Sequence, residues 1–207
     1  MISGIDRDNS HTFVQLTQLL KGRNVYIQTH NFPDPDAIGS AFGLQRLLKH
    51  YGIDSKICYN GKIDRLNTKK MIDLLGIEIC SKEELEGQMG EDDPIICVDS
   101  QKNGGNILDL IGDEVACIDH HPTAEEVDYY YKDVRRVGAC SSIIADYFAD
   151  NDIPILKSVF VGTSKRLIPP FILIRIPSER TNGDIISTNN PDSFLGILVA
   201  IERESRC

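Results

Sequence analysis

The stretch Val25-Tyr-Ile-Gln-Thr-His-Asn-Phe-Pro-Asp-Pro-Asp-Ala-Ile-Gly-Ser40 constrains this chain most, because an apolar run ends in one histidine and two carboxylates and then turns into a helix. Val25, Tyr26 and Ile27 are β-branched or aromatic and read as a buried strand; Pro33 and Pro35, with fixed φ and no amide hydrogen, exclude regular pairing just after it. Ala37, Ala41, Leu44, Leu48 and Tyr51 then recur at helical spacing, with Asp36 as the expected N-cap. The unit is strand, loop, helix. Ligands of open α/β sheets collect at the carboxyl ends of the strands, so His30, Asp34 and Asp36 stand where chemistry is expected. Three such groups within seven residues suit a divalent cation that takes mixed oxygen and nitrogen donors, Mn²⁺ ahead of Zn²⁺. A polar loop with a helix cap is the alternative.

Two later runs end the same way. Pro94-Ile-Ile-Cys-Val98 is apolar throughout, as a central parallel strand is, and Asp99 follows it in the position that His30 holds in the first run. An Asp that merely starts the turn before Gly104-Gly105 is the competing reading. Val115-Ala-Cys-Ile118 leads into Asp119-His120-His121. Adjacent imidazoles point in different directions, so one can bind a metal while its neighbour reaches a substrate oxygen.

The remaining pattern predicts a helix over 10–22 behind Ser10, a strand Ser55–Tyr59, and a short helical run from Met71 stopped by Gly76. It also predicts helical turns over Lys82–Gln88 and Asn106–Ile111 and a strand at Tyr129–Tyr131. Gly138-Ala-Cys-Ser-Ser142 should open a helix through Ile143, Ile144, Tyr147 and Phe148, capped by Ser141 or Ser142 and leaving amides open to an anion. Such alternation gives an α/β fold, an open, mainly parallel sheet with helices on both faces. Its expected core is Val25, Ile27, Ile95, Ile96, Val98, Val115 and Ile118.

With 207 residues, one domain is the default. A net charge of −9 argues against broad electrostatic binding of nucleic acid, though not against a phosphate held through a metal. There is neither an apolar run of about 18 residues nor a charged-then-apolar leader, so the expected location is cytoplasmic, with no membrane span. The six cysteines form no C-x-x-C pair and read as free, buried thiols.

Taken in order, His30/Asp34/Asp36, Asp99 and Asp119-His120-His121 resemble the DHH superfamily of phosphoesterases, named for this triplet, over roughly residues 10–162. The branch it is most similar to holds oligoribonucleases and 3′-phosphoadenosine-5′-phosphate phosphatases; RecJ-like exonucleases and exopolyphosphatases are more distant. The resemblance implies a Rossmann-like domain with two Mn²⁺ ions that hydrolyses phosphate esters of nucleotides or short single-stranded oligonucleotides. It implies that His30 and Asp34 hold one ion, Asp36 and His120 the other, and that Asp99 bridges them. Asp119 would support the site or ligate weakly, and His121 would face the scissile phosphate. Two cations about 3.5–4 Å apart neutralise phosphate oxygens and acidify a bridging water, so no side-chain nucleophile is needed.

Two features depart from that family pattern. The family's fourth motif, a further strand-end Asp, is replaced by Val161-Gly-Thr-Ser-Lys-Arg166, and there is no C-terminal Gly-Gly-Gly-His-like motif to grip substrate. Residues 1–162 thus read as the family-like domain and 163–207 as a divergent tail. Either a reading-frame slip produced that tail, or a strand over Phe171–Ile176 still completes the sheet; an unbroken frame in transcripts, with no Asp-Thr restored by one base, would exclude the slip. The competing function is a non-catalytic metal- or nucleotide-binding remnant, which needs only His30, Asp34 and Asp99. A dinucleotide-binding protein lacks its Gly-x-Gly-x-x-Gly after the first strand.

Overall fold

The computed structural model describes residues 2–123, 125–151 and 153, and the backbone of Phe160–Gly162, Phe171–Ile174 and Gly196–Val199. Six parallel strands form the main sheet: β1 (Val25–Thr29), β2 (Ser55–Tyr59), β3 (Ile79–Ser81), β4 (Pro94–Val98), β5 (Asp113–Asp119) and β6 (Tyr131–Val134). Their order is β3-β2-β1-β4-β5-β6, so the direction of winding reverses between β1 and β4. Four α-helices accompany them, α1 (Phe13–Leu20), α2 (Pro35–His50), α3 (Leu66–Leu75) and α4 (Cys140–Asp150), together with a 3-10 turn at Glu83–Leu85.

Strand alternation sorts the core into two layers. Val25 and Ile27 of β1, with Ile96 and Val98 of β4, join one large cluster with Leu16, Leu44, Met71 and Phe148 from the four helices. Tyr26, Ile95 and Cys97 face the other way, into a small cluster closed by Leu85 and flanked by Met89, Ile107 and Leu110. Chain handedness accounts for the asymmetry. Right-handed crossovers put α2 and α3 on one face while the winding runs from β1 to β3; after the reversal the β4–β5 crossover belongs on the other. That crossover, residues 99–112, contains no helix, so the second face carries only the 3-10 turn and loops among the described residues. The helical turn expected over Asn106–Ile111 is absent; Gly104, Gly105 and Gly112 surround too short a segment to nucleate one.

All seven expected core residues are at most 1% exposed. The helix expected over 10–22 spans only Phe13–Leu20, because Thr12 rather than Ser10 caps it in a box with Gln15. In the aromatic run only Tyr131 belongs to β6, where register pairs it with Ala116; Tyr129 is buried and its hydroxyl accepts the Lys102 amide. Cys58, Cys97, Cys117 and Cys140 are free and buried, and burial pushes the Cys58 thiol up to about 12. Beyond the main sheet, β7 (Phe160–Gly162), β8 (Phe171–Ile174) and β9 (Gly196–Val199) form a separate three-stranded sheet. The strand expected over Phe171–Ile176 therefore pairs with its own neighbours instead of extending the six strands. The remaining calls on 163–207 lie outside the described residues.

Candidate metal centre

Register brings the three strand ends together. Thr29 pairs with Val98 and Val98 with Ile118, so His30, Asp99 and Asp119 emerge side by side at the carboxyl edge. They do so beside the β1/β4 reversal, the crevice where open α/β sheets bind ligands.

Asp34, not Asp36, is the N-cap of α2: its Oδ1 accepts from the amides of Asp36 at 2.9 Å and Ala37 at 3.1 Å. Pro35 decides this, because proline suits the first helical position and makes the residue before it the cap. Asp36 instead reaches across to α4, where Oδ2 accepts from the Cys140 amide at 2.8 Å and Oδ1 from the Ser141 amide at 3.1 Å. The helix start that the sequence left open to an anion is thus filled from within the chain; the N-cap itself is Ala139, and no side chain of the segment caps it.

The two histidines expected to face a metal, His30 and His120, are oriented alike. His30 Nδ1 faces the Asn31 carbonyl at 2.8 Å, leaving Nε2 at 3.6 Å from Asp99 Oδ2 and 4.0 Å from Asp34 Oδ1. His120 Nδ1 faces the Val137 carbonyl at 3.2 Å, leaving Nε2 at 3.2 Å from Asp99 Oδ1 and 3.7 Å from Asp36 Oδ2. A backbone carbonyl on one ring nitrogen places the proton there and frees the other nitrogen as a donor to metal.

Asp99 joins the two halves. It is 3% exposed and sits at φ +57°, a left-handed conformation that non-glycine residues adopt mostly at turns and functional sites. Its Oδ1 lies 3.2 Å from His120 Nε2 yet makes no well-formed hydrogen bond, so a buried carboxylate oxygen is left unsatisfied. Burial, opposed by His120 and reinforced by Asp36 and Asp34, pushes the Asp99 carboxyl up to about 6. The Asp99 carboxylate in turn raises His120 to about 9. Without a cation these groups retain protons to offset crowded negative charge.

A divalent cation fits this arrangement on its own evidence: the orphaned Asp99 oxygen, two inward Nε2 atoms, and two donor sets sharing Asp99. His30, Asp34 and Asp99 form one, and Asp99, His120 and His121 the other, each with donor atoms within 4.8 Å of one another. His121 differs from His120. Its Nδ1 is 2.9 Å from Asp119 Oδ1 and its side chain is 49% exposed, so Nε2 is the nitrogen left for a ligand. Asp119 is fully buried; it accepts from His121 and the His120 amide and, at 2.7 Å, from Gln101 Nε2. Sequence reasoning missed Gln101, which also donates to the His121 carbonyl at 3.2 Å. Two residues after a strand-end Asp, a glutamine carries no signal of its own. Equally invisible was the lacing of the loop ends, where the Asn31 amide donates to the Asn106 carbonyl and the Phe32 amide to the Asn60 carbonyl.

Comparison with known proteins gives a family and a fold. A model of the DHH family, N-terminal domain, matches residues 24–163. An uncharacterized protein of Methanocaldococcus jannaschii is 35% identical over 141 residues, 68% of this chain and 29% of that protein. A probable manganese-dependent inorganic pyrophosphatase of Streptococcus pyogenes is 27% identical over 162 residues, 76% of this chain and 51% of that one. The crystal structure of an exopolyphosphatase-related protein from Bacteroides fragilis superimposes with a TM-score of 0.56 at 18% identity, covering 74% of this chain and 46% of that chain. This chain spans about half the length of the latter two and less of the first.

Proposed function

We infer that this chain, which belongs to the DHH family, provides the metal-binding half of a divalent-cation-dependent phosphoesterase. The observation that carries the reading is the pair of donor sets meeting at Asp99, whose buried Oδ1 faces two imidazoles yet makes no well-formed hydrogen bond among the described residues. We assign His30 and Asp34 to one ion, His120 and Asp36 to the second, and Asp99 to both. Mn²⁺ is the metal we favour, since carboxylate and imidazole donors together suit it and the matched pyrophosphatase is named as manganese-dependent. When bound, the ions would neutralise phosphate oxygens and acidify water for in-line attack.

The chain's own residues divide the remaining work. Asp34 fixes the start of α2 while presenting its carboxylate to the first ion. Asp119 holds the His121 Nδ1 proton and so directs Nε2 outward, where it can donate to or accept from a phosphate oxygen. Gln101 holds Asp119 in that pose. We propose nucleotides or short single-stranded oligonucleotides as substrates; the names of the relatives make a phosphoanhydride the competing class.

One observation favours an unequal pair of ions. Both oxygens of Asp36 already bind the α4 amides, and Val161–Ile168 supplies no carboxylate at the place of the family's fourth motif. The second ion therefore competes with a helix cap and lacks one ligand. This is also the feature that supports the remnant reading. Metal content by mass spectrometry after purification with Mn²⁺, beside hydrolysis of a phosphodiester, a short oligonucleotide and pyrophosphate, tests the assignment. Absence of bound metal would overturn it; metal without turnover would leave the binding remnant.

A further inference from the structure

Beside the centre, His121 opens onto a cavity of about 490 Å³ whose other walls include Asn9, Thr123, Lys132 and Arg136. Among the described residues, no Asp or Glu lines it. That is notable in a chain of net charge −9, where two other cavities are lined by acids, Asp109, Glu114 and Glu125 in one and Glu83, Glu86 and Asp109 in the next.

The donors around this cavity are set in place by the fold. Asn9, at φ +60°, is pinned to Tyr129 by two bonds: its amide donates to the Tyr129 carbonyl and its Oδ1 accepts from the Tyr129 amide. That fixes the side-chain amide so that Nδ2 is the end left over. The adjacent arginines behave differently. Arg135 is held by Asp133 and Asp146, whereas Arg136 is exposed and makes no hydrogen bond or ion pair among the described residues. Lys132 is 14% exposed and pairs at 2.9 Å with Glu126, itself 80% exposed and free to yield to a stronger anion. Arg136 has the geometry for a bidentate grip on phosphate, and Lys132 adds a point charge.

We propose that this cavity is a subsite for a second phosphate of the substrate, which extends past His121 when the first phosphate occupies the metal centre. The proposal rests on the phosphoesterase reading above and deepens it: the substrate carries at least two phosphates. His121 connects the two places, with Nδ1 only 3.7 Å from Asp99 Oδ1 and its ring forming part of the cavity wall. Two sources share this chemistry, a phosphoanhydride chain and an oligonucleotide bearing a 5′-phosphate.

The test separates the subsite from the centre. Tripolyphosphate is titrated calorimetrically into the full chain in EDTA, where turnover is silent. Arg136→Ala should weaken binding about tenfold, the loss expected of one charge-assisted contact, and Arg136→Lys should recover part of it. His30→Ala should leave this binding as it is. With Mn²⁺ present, the ratio of KM for tripolyphosphate to KM for bis-p-nitrophenyl phosphate, and the ratio for 5′-phosphorylated to unphosphorylated diadenosine monophosphate, are compared in wild type and Arg136→Ala. A rise in the first ratio identifies a phosphoanhydride, and a rise in the second an oligonucleotide. Binding in EDTA that is unchanged by both Arg136→Ala and Lys132→Ala overturns the subsite. EDTA binding that does depend on Arg136, in a chain with no Mn²⁺-dependent turnover, keeps the subsite and overturns the phosphoesterase reading.

Discussion

Replacing Asp36 by Asn separates its two roles, because the helix cap exists without metal and ligation does not. In the metal-free chain the carboxylate receives two α4 amides at 2.8 and 3.1 Å. Loss of a side-chain helix cap costs roughly 0.5–2 kcal/mol, and a hydrogen bond to a charged group contributes about 1.5–3 kcal/mol. Asn can still accept one of the two bonds, and removing the charge relieves repulsion with Asp99, whose carboxyl Asp36 helps to raise. The net loss should be about 1–2 kcal/mol. For a chain of this size that is a Tm lower by roughly 2–8 °C, read by thermal unfolding in EDTA at neutral pH. Asp99→Asn is the control of opposite sign when read above about pH 9, where His120 has lost the proton that pairs it with Asp99: it caps nothing, Asn tolerates the left-handed backbone, and a buried charge without a counter-ion disappears, so the metal-free Tm there should hold or rise. If Asp36→Asn leaves the Tm unchanged or raises it as Asp99→Asn does, the carboxylate does not anchor α4, and the case for a weakened second ion falls with it.

Other measurements probe neighbouring links. Asp99→Asn should abolish stabilisation by Mn²⁺ altogether, since both donor sets use that residue; a persisting Mn²⁺-induced Tm shift would show that Asp99 bridges nothing. Gln101→Leu should lower turnover roughly 10–100-fold, the usual cost of losing a group that orients a site residue, while the Mn²⁺ stoichiometry stays as in wild type; an altered stoichiometry would mean that Gln101 supports the ligands rather than His121. Because the folded-state pKa of His120 is raised from 6.5 to about 9, its pairing stabilises the metal-free fold fully below about pH 6.5 and is lost as pH rises toward 9. The Tm in EDTA should therefore fall across that window more steeply in wild type than in His120→Gln, and Mn²⁺ binding near pH 7 should release about one proton, measurable by calorimetry in buffers of different ionisation enthalpy. Gly43→Val should cost about 1–3 kcal/mol by overpacking, because even a Cβ there would lie 2.9 Å from Ile144 Cγ2 between α2 and α4; an unchanged Tm would mean that the two helices part easily.

The strands were legible because burial on both faces leaves a plain mark: Ser55–Tyr59 and Pro94–Val98 match their expected limits, and the residues after Thr29 and Val98 meet because the parallel register aligns those ends. His30 and Asp99 could be placed side by side for that reason, whereas the choice of His120 over His121 as a metal ligand is what the resemblance to the DHH family implied. What the sequence hides is which atom a polar group spends on which partner. Asp34 and Asp36 are equivalent as letters, and either could cap α2; only Pro35 separates them, through a preference for the first helical position that the periodicity of Ala37, Ala41 and Leu44 does not register. Gln101 shows the same limit, since a buried amide acquires its meaning from Asp119, eighteen residues further along the chain.

That limit bears on function through Asp36. A carboxylate that must satisfy two amides of α4 in the metal-free chain can serve a cation only by sharing an oxygen or giving up an amide, whereas Asp34 meets its amides with Oδ1 alone. The two halves of the centre are thus unequal before any ion arrives. The first set keeps an Asp34 oxygen, Oδ2, that holds no helix amide and faces only the exposed Arg65 guanidinium at 3.6 Å, an imidazole at His30 with Nε2 turned inward, and Asp99; the second must displace a proton from His120 and compete with a helix terminus. Metal loading should therefore be ordered, with the His30 set filling first, and occupation of the second coupled to the position of α4.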